Sequence, residues 1–445
     1  MKRTYGFILC AVLAALAISG GICVYLFSEE GEASAGTPLL DLDFREIQSL
    51  RVTLQDGEIL TFMRDEEEYW SLLEDPAFSF DQNKIAAIAS FFSYLAPYAY
   101  APEDAAPEEL GLAAPQTVIT AQLRDGTHHT ICVGAQTADR SGIYLQVDGR
   151  EQIGILDSYA AQTLCVTREA LRNLCPPMID WDCLEEIVIS VPGEPDVTIR
   201  CLPGTGELPA LRFPQWGVYA EAAVYHRFVR EFSTLRFSAW IGEGTLARYG
   251  LEPPRRLYTF RDTKGVSAEI AFGQKAAELG GYYAAAGAWP GEVFLLDEEQ
   301  ASLMELAPLD LVDRHLFARP ARSYEELTAP PSPEETIRTL TIRCGGETTE
   351  LSCRDGQFTK NGEAFPQEQG ALVFSTAAAL RTGGRVEAEA GEVFAEMALE
   401  GDGYAVETCT LYTYSENLLA VSFDGLPPAF SISRADILGL LSMVN

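Results

Sequence analysis

Two stretches of this chain carry the same spaced residues, and this internal repeat constrains the fold more than any other feature. Gly111 and Gly250 are the first of six matching pairs. A single shift of 139 residues (250 minus 111) aligns all six pairs without a gap. The other pairs are Leu112 and Leu251, Pro115 and Pro254, Gly126 and Gly265, Gly134 and Gly273, and Tyr144 and Tyr283. The pattern predicts tandem copies of one structural unit rather than a single large core.

The residues inside each copy predict antiparallel hairpins with packed helices. Residues 117–123 alternate between apolar and polar side chains, as a half-buried strand does. Asp125-Gly126 then provides a turn, because glycine readily adopts the positive φ that tight hairpins need. An upstream hairpin and an amphipathic helix, predicted at 83–95 and 220–235, precede the signature in each copy. We therefore predict an α+β fold of repeated antiparallel sheets.

The C-terminal part of the chain keeps the hairpin, helix and strand order but lacks the Gly-Leu-x-x-Pro element. We interpret it as a diverged third copy, with a strand predicted at Tyr404–Tyr414. The predicted units are 43–175, 176–317 and 334–445, with linkers at 28–42 and 318–333.

The amino-terminal segment predicts a membrane anchor. Residues 4–27 contain no charged side chain and would form a helix of roughly 36 Å, enough to cross a hydrocarbon core of about 30 Å. Lys2 and Arg3 precede the segment, so residues 1–3 are expected in the cytoplasm and the bulk of the chain outside it. The alternatives are a signal peptide cleaved after Ala35 and a lipoprotein anchored at Cys23. All three interpretations predict export.

The net charge of the chain limits the classes of molecule that it can bind. It has 65 acidic and 32 basic residues, a net charge of −33, which disfavours nucleic acid as a ligand. Hydrophobic residues make up 47% of the chain, so folded cores are expected rather than disorder. The ten cysteines include no C-x-x-C pair, and the disulfide state of the eight that follow the apolar segment stays open.

No pattern in the sequence predicts a catalytic, cofactor or metal site. His128-His129 is the best metal candidate, but adjacent residues on a strand point to opposite faces. Asp313-Arg314-His315 is better interpreted as a helix-end interaction than as catalytic residues. Other candidates are better interpreted as turns or solvated loops, namely Gly204-Thr-Gly206, Gly242-Glu-Gly244, Glu66-Glu-Glu68 and the Asp41/Asp43 pair.

The signature resembles a known family. The Gly-Leu-x-x-Pro turn, the Asp-Gly hairpin, the strand that ends in glycine and the tyrosine-bearing strand resemble bacterial exported proteins classed as domain of unknown function 4340. The resemblance covers most of residues 43–317. It implies an anchored or secreted repeat of this α+β unit, and it implies an accessory role beside ABC transporters of the gliding-motility type.

These observations predict a non-enzymatic, single-pass membrane protein whose extracytoplasmic domain binds or assembles with an envelope protein. Expected contact residues are aromatic, since aromatics dominate interface energetics: Trp216, Trp240, Trp289, Tyr282 and Tyr283. Packing inside the fold is the competing interpretation, and we favour it for Trp70 and Trp216. The alternative function is an envelope hydrolase that acts on peptidoglycan or polysaccharide through dispersed carboxylates.

Overall fold

A computed structural model describes residues 38–202, 208–221, 223–301, 307–387, 389, 391–404 and 408–444, apart from the side chain of Ala161. The predicted membrane helix at 4–27 lies outside these residues. Within the described ranges, no helix is both long enough and apolar enough to cross a bilayer. The described structure divides into two compact units, with the boundary between Asn173 and Leu174.

The first unit holds one antiparallel sheet in the order β3-β2-β1-β5-β6-β7-β8-β4. Its strands are β1 Ile47–Leu54, β2 Ile59–Arg64, β3 Trp70–Leu72, β4 Ala99–Tyr100, β5 Thr117–Leu123, β6 His128–Gln136, β7 Gly142–Val147 and β8 Gly154–Asp157. Its helices are α1 Gln82–Ser93, α2 Ser158–Leu164 and α3 Arg168–Leu171, and a 3-10 turn spans Phe44–Glu46.

Helix α1 covers one face of this sheet because its apolar residues recur at helical spacing. Asp81 caps its first turn by accepting a hydrogen bond from the backbone N–H of Asn83. The buried side chains fall on one stripe, Ile85, Ile88, Ala89 and Phe92. They join the core formed by the inward-facing residues of the strands.

The second unit contains two antiparallel sheets. The nine-stranded sheet consists of β9 Leu184–Ser190, β10 Val197–Leu202, β11 Ala210–Phe213, β12 Val218–Tyr219, β13 Ala239–Glu243, β14 Arg256–Asp262, β15 Ser267–Ala276, β16 Gly281–Ala286 and β17 Glu292–Asp297. The eight-stranded sheet consists of β18 Ile337–Cys344, β19 Glu347–Arg354, β20 Gln357–Lys360, β21 Glu363–Phe365, β22 Val393–Gly401, β23 Thr408–Thr413, β24 Leu418–Phe423 and β25 Phe430–Ser433.

Within the described residues of the second unit, five helices accompany these sheets: α4 Val224–Ser233, α5 Tyr324–Thr328, α6 Pro333–Thr336, α7 Gln367–Ala379 and α8 Arg434–Val444. Three 3-10 turns span Trp181–Cys183, Leu246–Tyr249 and Pro308–Leu311. One hydrophobic cluster runs through both sheets, from Ile179 to Val444. The two sheets of the second unit therefore share a core.

All three sheets are built on the same strand order. In each, the first strand pairs on one side with its hairpin partner and on the other with a strand that follows the helix. Thus β1 lies between β2 and β5, β9 lies between β10 and β14, and β18 lies between β19 and β22. The third sheet follows this order although it lacks the Gly-Leu-x-x-Pro element. The α+β prediction with antiparallel sheets is confirmed for the described residues.

Two elements that follow the second sheet, β22 and α5, lie outside the sequence prediction. The strand expected around Tyr404–Tyr414 corresponds to β23, Thr408–Thr413, and residues 405–407 lie outside the described residues. The strand that pairs with β18 is β22, which the sequence does not predict. The segment predicted as a linker at 318–333 contains helix α5. Its Arg319 forms a double hydrogen bond with Glu326, so part of this segment has its own side-chain structure.

Candidate functional site

The signature residues form a turn that lies against a strand. Gly111 and Gly250 have φ of +74° and +67°, a conformation that other residues rarely adopt. Leu112 packs against Gly134, and Leu251 packs in the same way against Gly273. The strand is irregular here in both copies, because its pairing shifts register between Val133 and Gln136 and between Phe272 and Lys275.

The other signature residues also have structural positions. Gly126 and Gly265 have φ of +88° and +83° in hairpin turns. Tyr144 and Tyr283 lie beside small apolar clusters that contain Leu112 and Leu251, respectively. Leu251 and Pro254 form an isolated β-bridge across the second turn. Pro115 follows the first turn two residues before β5. The signature residues therefore lie in turns, strand pairings and small apolar clusters that build the fold.

The polar candidates have local partners. His129 contacts Asp148 with 2.9 Å between Nδ1 and Oδ2, whereas His128 is exposed at the start of β6. Asp313 Oδ1 lies 2.6 Å from Nδ1 of His315. The described residues contain no group of three His, Cys, Asp or Glu side chains that could hold a metal ion.

The interpretation of Asp313-Arg314-His315 as a helix-end contact is correct in part. Arg314 donates to the carbonyl of Leu309 in the 3-10 turn, but it also donates to the carbonyl of Gly383. His315 forms a backbone bridge with Arg381. The trio therefore connects parts of the second unit that are distant in sequence.

The prediction of Gly242-Glu-Gly244 as a turn is wrong for Gly242 and Glu243, which belong to edge strand β13. The pairing of β13 with β17 shifts register at Gly242. The φ of +121° at Gly242 suits glycine. Gly204-Thr-Gly206 lies outside the described residues.

The second unit contains a cleft of about 1040 Å³. Parts of the chain far apart in sequence form its walls, including the turn between β9 and β10, the start of the 3-10 turn at Pro308, and the segment before β25. Four prolines stiffen these walls: Pro195, Pro308, Pro427 and Pro428.

Trp216 forms the aromatic part of the cleft. The turn between β11 and β12 holds it, and its backbone N–H donates to the carbonyl of Phe213. Its ring stacks on Phe213 with centroids 5.2 Å apart and meets the edge of Phe430 at 6.0 Å. The guanidinium of Arg385 lies over the same ring, 5.8 Å from its centroid.

The cleft is strongly acidic. Its lining has four carboxylates, Glu194, Asp196, Glu387 and Glu389. Arg385 is the one cationic side chain among the described lining residues, so they carry a formal charge of −3. A cavity of this charge attracts cations and basic groups and repels anionic polymers.

The aromatic residues expected at a binding surface have mixed positions. Trp289 is 6% exposed, so the prediction of an exposed anchor is wrong for this residue. Trp289 packs on Phe237 and Phe294 in the core. Trp240, Tyr282 and Tyr283 are half-buried. The packing interpretation is correct for Trp70 and Trp216, which are both buried.

Comparison with known proteins identifies a family. The family model described as Domain of unknown function (DUF4340) matches residues 70–254 and 227–368. The chain belongs to this family. The two DUF4340 matches include both signature turns and reach into α7 of the third sheet, beyond the range in which the motif is recognisable. Neither a curated protein nor a solved structure matches the chain significantly.

Proposed function

We propose that this DUF4340 protein is a membrane-anchored, extracytoplasmic binding and assembly module of the cell envelope, accessory to an ABC transporter and without catalytic activity. The cleft beside Trp216 carries the proposal. It combines rigid proline walls, a volume of about 1040 Å³ and a net negative charge in one place. The uncharged segment at 4–27 supports anchoring, and the family resemblance supports the link to a transporter.

Site-specific photocrosslinking in cells tests the binding role. Gln215 is exposed and lines the cleft, whereas Tyr414 is exposed in the turn between β23 and β24 and does not line it. A photoreactive phenylalanine analogue replaces each residue in the full chain. We expect a discrete crosslinked partner from position 215 and none from position 414. Identical patterns from both positions would count against the cleft as the binding site.

Fractionation tests the anchoring role. We expect the full chain to stay in membranes after alkaline extraction, because a spanning helix is not released with peripheral proteins. Protease added outside spheroplasts should digest the described domains. Protection of those domains would contradict the extracytoplasmic orientation.

A second candidate function is an envelope hydrolase. The observation that favours it is the presence of several carboxylates beside an aromatic side chain, the combination that glycoside hydrolysis uses. Purified full chain incubated with peptidoglycan separates the two functions. Release of soluble fragments that the Glu194→Gln or Glu387→Gln variant abolishes would favour the hydrolase over the binding module.

A further inference from the structure

We infer that the cleft of the second unit binds an extended, basic peptide segment of a partner protein. This inference rests on the proposed binding function and adds the chemical class of the partner. Its first support is charge complementarity, because four carboxylates face the cleft against a single guanidinium. The net charge of −33 would also draw a basic segment toward the protein and raise its association rate.

The shape of the cleft favours a peptide in extended form. Its volume of about 1040 Å³ exceeds what one side chain fills and suits several residues. Four prolines make the walls of the cleft rigid, and a preformed rigid surface lowers the entropy cost of holding an extended segment. A segment with alternating basic and small apolar residues would place ammonium groups at Glu194 and Asp196 and at Glu387 and Glu389.

The surroundings of Trp216 disfavour a saccharide. Sugars stack on an open aromatic face, but Phe213 stacks on this ring and Arg385 lies over it. Arg385 already presents a cation to the aromatic ring, which is the contact that a basic side chain of a partner would make. No ion pair of Arg385 is seen within the described residues. Arg385 therefore occupies the position over the Trp216 ring that a basic side chain of a ligand would take.

Peptide binding to the full chain in phosphatidylcholine nanodiscs tests the inference. The probe is a fluorescein-labelled Lys-Pro repeat of about twelve residues, which stays extended because of its prolines. A Glu-Pro repeat of equal length and empty nanodiscs are the controls. We expect the anisotropy to rise with the Lys-Pro peptide alone, and the affinity to fall at high salt because the charges are solvent-accessible.

Two matched variants locate the binding. Glu194→Gln with Asp196→Asn removes two carboxylates from the cleft, and affinity should fall about three- to ten-fold. Glu347→Gln with Glu363→Gln removes two exposed carboxylates that do not line the cleft, and affinity should not change. Arg385→Ala should bind the Lys-Pro peptide about two- to five-fold more tightly, since it removes the competing cation. Circular dichroism verifies that each variant is folded.

The outcomes separate this inference from the proposed function. Equal binding of both peptides, or equal losses in the two carboxylate variants, would overturn the inference. Preferential binding of a chitin oligosaccharide would also overturn it. A partner crosslinked from position 215 without any Lys-Pro binding overturns the basic-peptide inference alone. Lys-Pro binding that the cleft variant weakens, with no crosslinked partner, counts only against the cellular binding role.

Discussion

A Cβ atom placed on Gly134 would lie 2.4 Å from the carbonyl oxygen of Leu110. That carbonyl also accepts a hydrogen bond of 2.8 Å from the backbone N–H of Ala135. The second copy repeats the approach, since a Cβ on Gly273 would lie 2.3 Å from the carbonyl of Tyr249. The signature thus encodes a close backbone contact between a turn and a strand, which explains why both members of this pair are glycine.

Substitution of alanine for Gly134 or Gly273 should destabilise the protein by about 1–3 kcal/mol each, because the backbone carbonyl must move to admit the methyl group. Urea unfolding of the full chain followed by fluorescence measures the change. Gly244→Ala is the matched control, since its Cβ would meet nothing closer than 3.6 Å and its cost should stay within about 0.5 kcal/mol. Equal effects of all three substitutions would contradict the close contact.

Local signals made the hairpins of the first unit predictable. The upstream hairpin predicted in the first copy is formed by β1 and β2, and the Asp56-Gly57 turn that joins them is a local sequence signal. Gly57 has the positive φ that this turn chemistry requires. The helix predicted at 83–95 corresponds to α1. It was predictable because its apolar stripe and its N-terminal cap, Asp81, are both local sequence signals.

Strand β22 shows where local signals fail. Its residues, Val393–Gly401, are mostly alanine, glutamate, methionine and leucine, which favour helix by intrinsic propensity. Ala395, Met397 and Leu399 are nevertheless buried at alternate positions, because pairing with β18 and β23 buries one face. Tertiary pairing overrides a weak helical preference here.

The cleft was not predictable for a different reason. Each part of its wall looks like an ordinary proline-containing loop in the sequence, and only the packing of two sheets brings these loops together. The prolines at 192 and 195 and the pair at 427–428 are signals of rigid turns, but a turn alone does not indicate a cavity. Packing is correctly predicted for Trp216, but nothing in the sequence around Arg385 indicates that its guanidinium lies over the Trp216 ring.

The ion pair in the segment between the second and third sheets should make stability depend on pH. Arg319 donates to both carboxylate oxygens of Glu326 at 3.0 and 3.2 Å, and this contact lowers the pKa of Glu326, assisted by the backbone N–H of Arg322. A lowered pKa in the folded state stabilises the fold above the ordinary value of 4.5, and this contribution is lost as the pH falls through the folded value.

Glu326→Gln should therefore cost about 1 kcal/mol at neutral pH, a modest value because the pair is partly solvated. It should cost less as the pH falls below 4.5. Unfolding midpoints measured between neutral and acidic pH provide the test. Glu325→Gln, a neighbour that is exposed in the same helix, is the control. A cost that does not change with pH would contradict the role of this ion pair.

The thiol of Cys201 should react slowly with alkylating agents. Burial raises its pKa to about 11, because the apolar surroundings disfavour the thiolate. At pH 8 about one molecule in a thousand would carry the reactive thiolate, and the rate should rise about tenfold per pH unit toward pH 10. Peptide mass spectrometry after timed iodoacetamide labelling measures this rate. Rapid labelling at pH 8, or a rate independent of pH, would contradict the burial of this side chain.

The core that joins the two sheets of the second unit should transmit the loss of Trp216 to the third sheet. Trp216 on the second sheet contacts Phe430 in β25, and nearby Arg212 forms an ion pair with Asp424 in the turn after β24. Trp216→Ala should cost about 3–5 kcal/mol, since it leaves a large cavity between these elements. We expect faster amide hydrogen exchange in β24 and β25 as well as in β11, because one shared core implies one cooperative unit. Trp70→Ala, a substitution of an equally buried tryptophan in the first unit, is the control and should leave amide exchange in β24 and β25 unaltered. If the Trp216 variant shows faster exchange in β11 alone, the two sheets are stable independently and the prediction is wrong.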